Sequence, residues 1–355
     1  MKSEGRGVVE GSASAATAPP PACDPHGDGD GSGRRRRAAT GAVGPALIGA
    51  AVVAVLAGPW LERRFGLAAF EAWRTLLVAI VMQGVPFLVL GTVVSAAIGA
   101  FVPARVFSRI LPRNPVLAVP MAGAAGVVLP GCECASVPVA GSLMRRGVAP
   151  AAALTFLLAA PAVNPVVLVS TAIAFPGKPE MVAARFGASL VTAVAMGWLW
   201  IRWGRDEWLR LPKGPAEHAP GAGRPEVFRR GLQHDFLQAG GFLVVGAMAA
   251  ATFDVLVPPS VLETFSGAPW LGVLVAALLA VLLSVCSEAD AFVASSFAGF
   301  SPTARLAFMV VGPMVDMKLI ALQSGAFGRA FAVRFCAGTF VVAILCCVLV
   351  GGVLL

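Results

Sequence analysis

Residues 75–102 read TLLVAIVMQGVPFLVLGTVVSAAIGAFV, an apolar run of 28 residues without a charged side chain. A helix needs about 20 such residues to cross the hydrocarbon core of a bilayer. The whole chain agrees, because 57% of its 355 residues are hydrophobic and only 13% are charged, against roughly 45–50% and about 25% in an ordinary soluble domain. These values exclude a soluble globular enzyme and indicate a polytopic protein of the lipid bilayer.

Charge divides the chain into segments. Only 10 charged residues occur in 75–203 and 10 in 235–355, whereas the short stretch 204–234 alone carries 10. The apolar runs show no alternation of period two, which argues against a transmembrane barrel and predicts an all-α fold, a polytopic transmembrane helical bundle. We therefore predict a first membrane repeat at 75–203, a charged cytoplasmic linker at 204–234 and a second membrane repeat at 235–355.

The N-terminal part has a different composition. Residues 1–41 are rich in Gly, Ala, Ser and Pro and contain the cluster Arg34–Arg37, so we predict a disordered tail. The apolar run that follows predicts an accessory transmembrane helix at 42–60. Among the later loops, those on the side of 204–234 are the more basic, and we place that side in the cytoplasm.

The two membrane segments resemble each other in sequence. LPGCECASVPVAGSL (129–143) aligns with LSVCSEADAFVASSF (283–297), and both carry a cysteine at the fourth position. Further on, Asn164 aligns with Asp316, each three residues after a proline. We predict two internal repeats of four helices each, which would be parallel copies because four is an even number. Transporters commonly place their site at the interface between such repeats.

The sharpest candidate site is PGCECASVP at 130–138. Cys132 and Cys134 would point about 200° apart on a regular helix, but the surrounding prolines and glycine predict a broken helix in which the thiols can converge. Two thiolates with a third ligand suit a soft ion such as Cu(I), Zn(II) or a trivalent arsenical. Cys132 and Cys134 are thus predicted ligands of a soft metalloid. The alternative is that both are small buried hydrophobic residues.

Ionisable residues inside the apolar runs are further candidates, because a charged side chain at the centre of a membrane helix costs about 2.5–3.5 kcal/mol. The acidic ones could take up protons in a coupling step. Lys318 could instead form a structural ion pair with Asp316 or another acid, or extend to a membrane interface, and Asn164 could cap a proline break. The predicted solute-binding residues are Cys132, Glu133, Cys134, Asn164, Cys286, Glu288, Asp290 and Asp316.

Several other functions are excluded. No G-x-x-x-x-G-K-[ST] motif occurs, so the chain has no ATP-binding loop of this type, and all three histidines lie outside the apolar runs. We predict no cofactor. No basic stripe is interleaved with aromatic residues, so nucleic acid is not an expected partner. The chemistry of an enzyme is conceivable only at Cys132 and Cys134, and we predict that the protein is not an enzyme.

Two stretches resemble the predicted-permease family that includes the ArsP-type organoarsenical efflux permeases. They are LPGCECASVPVAGSLMRRGVAPAAALTFLLAAPAVNP (129–165) and, further on, FSPTARLAFMVVGPMVDMK (300–318). The resemblance covers roughly 75–353. It implies a multi-pass permease of the inner membrane with about eight core helices. In the arsenical exporters it further implies trivalent organoarsenical substrates and membrane cysteines, a role that carries over only to Cys132 and Cys134.

Together these patterns predict a secondary efflux permease for a small solute. A trivalent organoarsenical bound by the Cys-x-Cys is one candidate substrate. Glu133 stands where a serine is common in the family, which could alter the charge preference of the site. Two alternatives remain: a membrane protein for thiol redox or metal handling, and a non-transporting membrane scaffold. The sequence predicts no particular oligomeric state.

Overall fold

The computed structural model describes residues 68–103, 105–106, 112, 114–127, 132–211, 223–256, 269–297 and 299–355. The predicted tail at 1–41 and the predicted accessory helix at 42–60 lie outside these residues. Several internal segments also lie outside them, among them 128–131 in the first cysteine motif, 212–222 in the linker and 257–268.

Every regular element in the described part of the chain is helical, which confirms the all-α prediction. The α-helices are α1 (Ala68–Phe101), α2 (Pro115–Ala125), α3 (Glu133–Arg145), α4 (Pro150–Val163), α5 (Pro165–Ala174), α6 (Pro179–Trp203), α7 (Arg224–Leu256), α8 (Pro269–Leu283), α9 (Asp290–Ser296), α10 (Pro302–Val311), α11 (Met317–Phe327) and α12 (Arg329–Leu354). Many of them begin at a proline, whose fixed backbone angle suits the first helical position.

Among the residues that the structure describes, five stretches are long and apolar enough to cross a membrane: Phe70–Phe101, Pro150–Ala174, Pro179–Trp203, Arg224–Thr252 and Arg329–Leu354. Large apolar side chains face outward from them, as Met82 (71% exposed) and Leu349 (70% exposed) do. A soluble protein rarely exposes a continuous surface of this kind. The protein is therefore a membrane protein.

In the described part of the chain, the five spans are fewer than the eight or so core helices that the family resemblance implies. The apolar run at 114–143 has the length of one span but contains two separate short helices, α2 and α3. The run at 270–298 likewise divides into α8 and α9, separated by the irregular residues 284–289. Apolar length alone could not distinguish one long helix from two short ones.

The helices α1 and α7, which open the two predicted repeats, run antiparallel. Trp73 at the start of α1 donates a hydrogen bond to Thr252 near the end of α7, at 3.0 Å. At the other end, the rings of Phe101 and Phe228 lie 6.0 Å apart. The even helix count predicted that the two repeats would have the same orientation, but α1 and α7 have opposite orientations. The division into two repeats stays a prediction.

Helices α2 and α3 both have an outer end on the same side of the bundle, which we call the linker end because α6 finishes and α7 begins there. Trp198 near the end of α6 donates a hydrogen bond to the Val116 carbonyl at the start of α2, at 3.1 Å. Arg145 at the end of α3 forms an ion pair of 3.5 Å with Asp235, which lies about three turns after the start of α7. Helices α2 and α3 thus enter the bundle and return, and we call these two helices the first hairpin.

Helices α8 and α9 form a second hairpin, 269–296, on the opposite side of the bundle. Thr303 at the start of α10 packs against Gly351 at the end of α12, and α9 ends just before α10 begins. Helix α12 starts at the linker end, because the Phe331 ring near its start lies 5.5 Å from the Trp200 ring near the end of α6. The last residues of α12, and with them the start of α10 and the end of α9, therefore lie at the end opposite the linker.

Glycines allow α1 and α7 to pack closely against the interior helices. A Cβ atom added to Gly91 of α1 would lie 2.8 Å from the Cβ of Ala135 in α3. One added to Gly246 of α7 would lie 2.5 Å from the Cα of Lys318 in α11. Any larger residue would push α3 or α11 outward.

We expect Gly91→Ala to destabilise the protein by about 1–3 kcal/mol, the usual cost of overpacking. Gly99→Ala on the same helix is the matched control, because a Cβ there meets nothing within 4 Å, and alanine favours a helix over glycine by about 1 kcal/mol. The measurement is unfolding of the purified protein in detergent. Equal stability of the two variants would contradict the close approach of α1 to α3.

Candidate functional site

Three cysteine thiols meet where the two hairpins touch. The thiol of Cys132 lies close enough to interact with the thiols of both Cys134 and Cys286. Their residues are 1%, 1% and 4% exposed. Cys132 precedes α3 in an extended conformation (φ −78°, ψ 176°), so it does not follow the helical spacing that would separate it from Cys134. The structure thus brings together the two cysteines of the first motif and the single cysteine of the second.

The cysteines described in the structure are all free thiols. Within the same part of the chain, no group of three or more His, Cys, Asp and Glu residues has the arrangement of a metal site. Ligation of a soft metalloid by Cys132 and Cys134 therefore stays a prediction. Cys336, Cys346 and Cys347 lie in α12, apart from this cluster, as packing residues would.

A buried ionic cluster adjoins the thiols. Lys318 donates a hydrogen bond of 3.0 Å to Oε1 of Glu133, and its Nζ lies 3.4 Å from Oδ2 of Asp316. The three residues are 4%, 1% and 0% exposed, respectively. Both contacts agree with the expected structural ion pair of Lys318 with Asp316 or another acid, and the contact with Glu133 is the shorter one. The second oxygen of Glu133 has no hydrogen-bond partner among the described residues.

A second buried ion pair joins α6 to α9. Arg185 donates a hydrogen bond of 2.7 Å to Oδ2 of Asp290 and others to the Thr171 hydroxyl, at 2.7 Å, and the Ser287 carbonyl, at 3.2 Å. The Arg185 and Asp290 side chains are 0% and 2% exposed. The sequence signal for this pair was an arginine inside an apolar run, but it did not identify the partner. Both ionic contacts, like the thiol cluster, join residues before the linker to residues after it.

The comparison with known proteins identifies the family. A family model described as a predicted permease, ArsP_1, matches residues 69–352. The chain belongs to this family. UPF0718 protein YcgR of Bacillus subtilis (strain 168) is 35% identical over 269 residues, covering 74% of this chain and 92% of the relative. A Streptococcus mutans protein named "Putative two-component membrane permease complex subunit" is 29% identical over 283 residues, covering 78% and 94%. No solved structure matches the chain significantly.

In this member of the permease family, two polar residues cap the helices that begin near the site. Asn164 accepts a hydrogen bond of 3.0 Å from the backbone of Val167 and donates one of 3.1 Å to the Ala160 carbonyl. Asp316 accepts one of 2.6 Å from the backbone of Leu319. Such caps satisfy N–H groups left open at the start of a helix. Asn164 and Asp316, paired in the sequence alignment, therefore have the same structural task.

The tip of the second hairpin has a constrained backbone. Ser284 has a φ of 47°, an uncommon value for a residue other than glycine. Its hydroxyl accepts a hydrogen bond of 3.1 Å from the backbone of Met317, the first residue of α11. Near it, Cys286 donates a hydrogen bond of 2.6 Å to Glu288. The hydrogen bond between Ser284 and Met317 attaches the second hairpin to the start of α11, beside Lys318. The bond between Cys286 and Glu288 lies within the hairpin.

We expect Arg185→Met to destabilise the permease by about 3–5 kcal/mol, because it leaves the buried charge of Asp290 without its partner. The double variant Arg185→Met/Asp290→Asn should recover most of that loss. Arg229→Met removes an exposed ion pair with Glu226 and should change stability by only about 0–1 kcal/mol. Unfolding in detergent measures all three, and a double variant as unstable as Arg185→Met would argue against the assigned pairing.

Proposed function

We propose that the protein is a secondary permease of the inner membrane that exports a small solute through a site between the tips of its two hairpins. The observation that supports this proposal best is the meeting of three thiols, Cys132, Cys134 and Cys286, where those tips touch. Family membership supports transport over an enzymatic function.

The architecture suits alternating access. The two hairpins come from opposite sides of the bundle, and α1 and α7 run antiparallel. We infer an inverted pair of repeats on either side of the linker, in place of parallel copies. In transporters built from inverted repeats, broken helices surround a central solute site, and the repeats move relative to each other to open it alternately.

The solute that we propose is soft, and a trivalent organoarsenical is the leading candidate. Thiolates are the ligands that soft ions prefer. A compound RAs(OH)2 can bind two thiols: two As–S bonds replace two As–O bonds, and each thiol proton leaves with a hydroxide as water. Arsenic stays trivalent, so the step needs no oxidant or reductant. The reverse reaction with two water molecules releases the solute.

The charged residues favour a neutral or cationic solute over an anion. Glu133, Asp316 and Lys318 sum to a formal charge of −1 when all are ionised, while Arg185 and Asp290 sum to zero. An anion would meet this excess negative charge in a setting of low dielectric, where like-charge repulsion is strong. We propose that the carboxylates set the charge preference, with Glu288 beside Cys286.

The contact among the thiols also supports a second candidate function, thiol redox or metal handling in the membrane. Such a protein would form a reversible disulfide between Cys132 and one of its neighbours, with two electrons and two protons passing to a partner disulfide. Alkylation mass spectrometry of the protein in native membranes tests this, since a fully reduced population under mild oxidation would exclude it.

We expect vesicles containing the wild-type protein, turned inside out, to accumulate trivalent methylarsenite. Cys132→Ser should lower this uptake by at least about tenfold, because even indirect supports of a metal ligand are worth about 10–100-fold in affinity. Cys346→Ser is the matched control, a buried cysteine of α12 outside the cluster. Inorganic arsenite and Cu(I) are assayed in parallel to identify the substrate class.

Uptake in Cys132→Ser equal to that of Cys346→Ser would contradict thiol binding. A loss common to both variants, with normal amounts of protein in the membrane, would show that any cysteine replacement impairs the permease and would remove support for a specific role of Cys132.

A further inference from the structure

A cavity of about 40 Å³ lies between α3, α7 and α11 at the linker end. It has room for a few water molecules, each of which needs about 10–15 Å³. Its wall combines polar and aromatic side chains. The lining residues used below are Gly141, Arg145, His234, Asp235, Gln238 and Phe327. None of them belongs to the thiol site, so the cavity has a role still to be assigned.

Two of these helices, α3 and α11, carry residues of the thiol site and of the adjoining ionic cluster at their other ends. On α3, Val137 and Gly141 line the cavity, four and eight residues after Glu133, and residues four apart share one face of a helix. On α11, Leu322 lines it, four residues after Lys318. The cavity and the thiol site thus lie along one seam, and the cavity lining on α3 begins about 6–12 Å from Glu133 at the usual helical rise.

We propose that this seam is the path by which the solute reaches the thiols, and that the cavity is its entrance on the linker side. The inference rests on the proposed function, because it names the route to the site proposed there. The linker end is the side that the charge pattern places in the cytoplasm, which is where a solute for export would enter. Polar side chains and an aromatic wall suit a small solute that carries both hydroxyl and apolar groups.

The entrance is closed by weak contacts. Asp235 accepts a hydrogen bond of 2.7 Å from the Ser95 hydroxyl and forms an ion pair of 3.5 Å with Arg145. The side chains of Arg145 and Asp235 are 26% and 11% exposed. This pair is longer and less enclosed than the pair of Arg185 with Asp290, which is 2.7 Å long and 0% and 2% exposed, so opening this end costs less than separating that pair.

Gly141 keeps the seam open. A Cβ atom there would lie 3.5 Å from Nη1 of Arg145 and 3.7 Å from the Phe327 ring, both ordinary contacts, so alanine fits. A branched side chain at this position would extend into the cavity. Gly187 of α6 is a matched control, because a Cβ added to it meets nothing within 4 Å.

The first test measures transport. In inside-out vesicles, Gly141→Leu should reduce methylarsenite uptake to the level of vesicles without the protein, while Gly141→Ala and Gly187→Leu should keep wild-type uptake. Wild-type uptake in Gly141→Leu would overturn the proposal. Equal losses in Gly141→Leu and Gly187→Leu would also overturn it, because the effect would then not come from the cavity.

The second test does not depend on the substrate. A cysteine is introduced at Gly141 or, as a second variant, at Gln238, in a chain whose seven native cysteines are replaced by serine or alanine. A sulfonated maleimide that cannot cross membranes should label both cysteines in inside-out vesicles and neither in right-side-out vesicles. Gly187→Cys, on the outer surface of α6, should resist this polar reagent in both.

The two tests separate failure of this inference from failure of the proposed function. If the wild type transports no arsenical but the introduced cysteines are labelled from the linker side, the entrance is supported and only the substrate is wrong. Absence of labelling at both positions in membrane-inserted protein, or labelling from the opposite side, would overturn the entrance whatever the substrate is.

Discussion

Charged groups in the interior of this membrane protein must find partners within the bundle, and the arrangement of its two halves follows from that constraint. An unpaired charge costs several kcal/mol at such a depth. Glu133 before the linker pairs with Lys318 after it, and Arg185 before the linker pairs with Asp290 after it. Each pair joins the part of the chain before the linker to the part after it. Separating these two parts would therefore expose an unpaired charge to the bilayer.

Broken helices bring these residues together. Backbone that leaves the helical conformation within a membrane must be satisfied by protein or by water. Asn164 and Asp316 each accept a hydrogen bond from a backbone N–H group at the start of the helix that follows, so they satisfy part of the broken backbone. Asp316 combines this cap with the ion pair to Lys318, so the backbone break and the buried charge stabilise each other.

The sequence patterns predicted the features that depend on neighbouring residues, namely the helical fold and the candidate site residues. The all-α fold followed from continuous apolar runs, and Cys132, Cys286 and Asp316 stood out as polar or reactive residues within them. The hairpins did not follow, because a run such as 114–143 has the length of one span and reveals a return only through the helices that its ends contact. The pairing of Arg185 with Asp290 was missed for the same reason, since 105 positions separate the two residues.

The two ionic contacts differ in a way that separates support from function. Arg185 and Asp290 balance each other, and Arg185 also donates to Thr171 and to the Ser287 carbonyl, so this pair is suited to hold the halves in register. Lys318 instead faces two carboxylates, so this cluster keeps an excess negative charge when all three groups are ionised. Glu133 also lies between Cys132 and Cys134 in the chain, which places this charge beside the thiols. Under the proposed function, the balanced pair would therefore support the scaffold, and the unbalanced cluster would be the part that meets the solute.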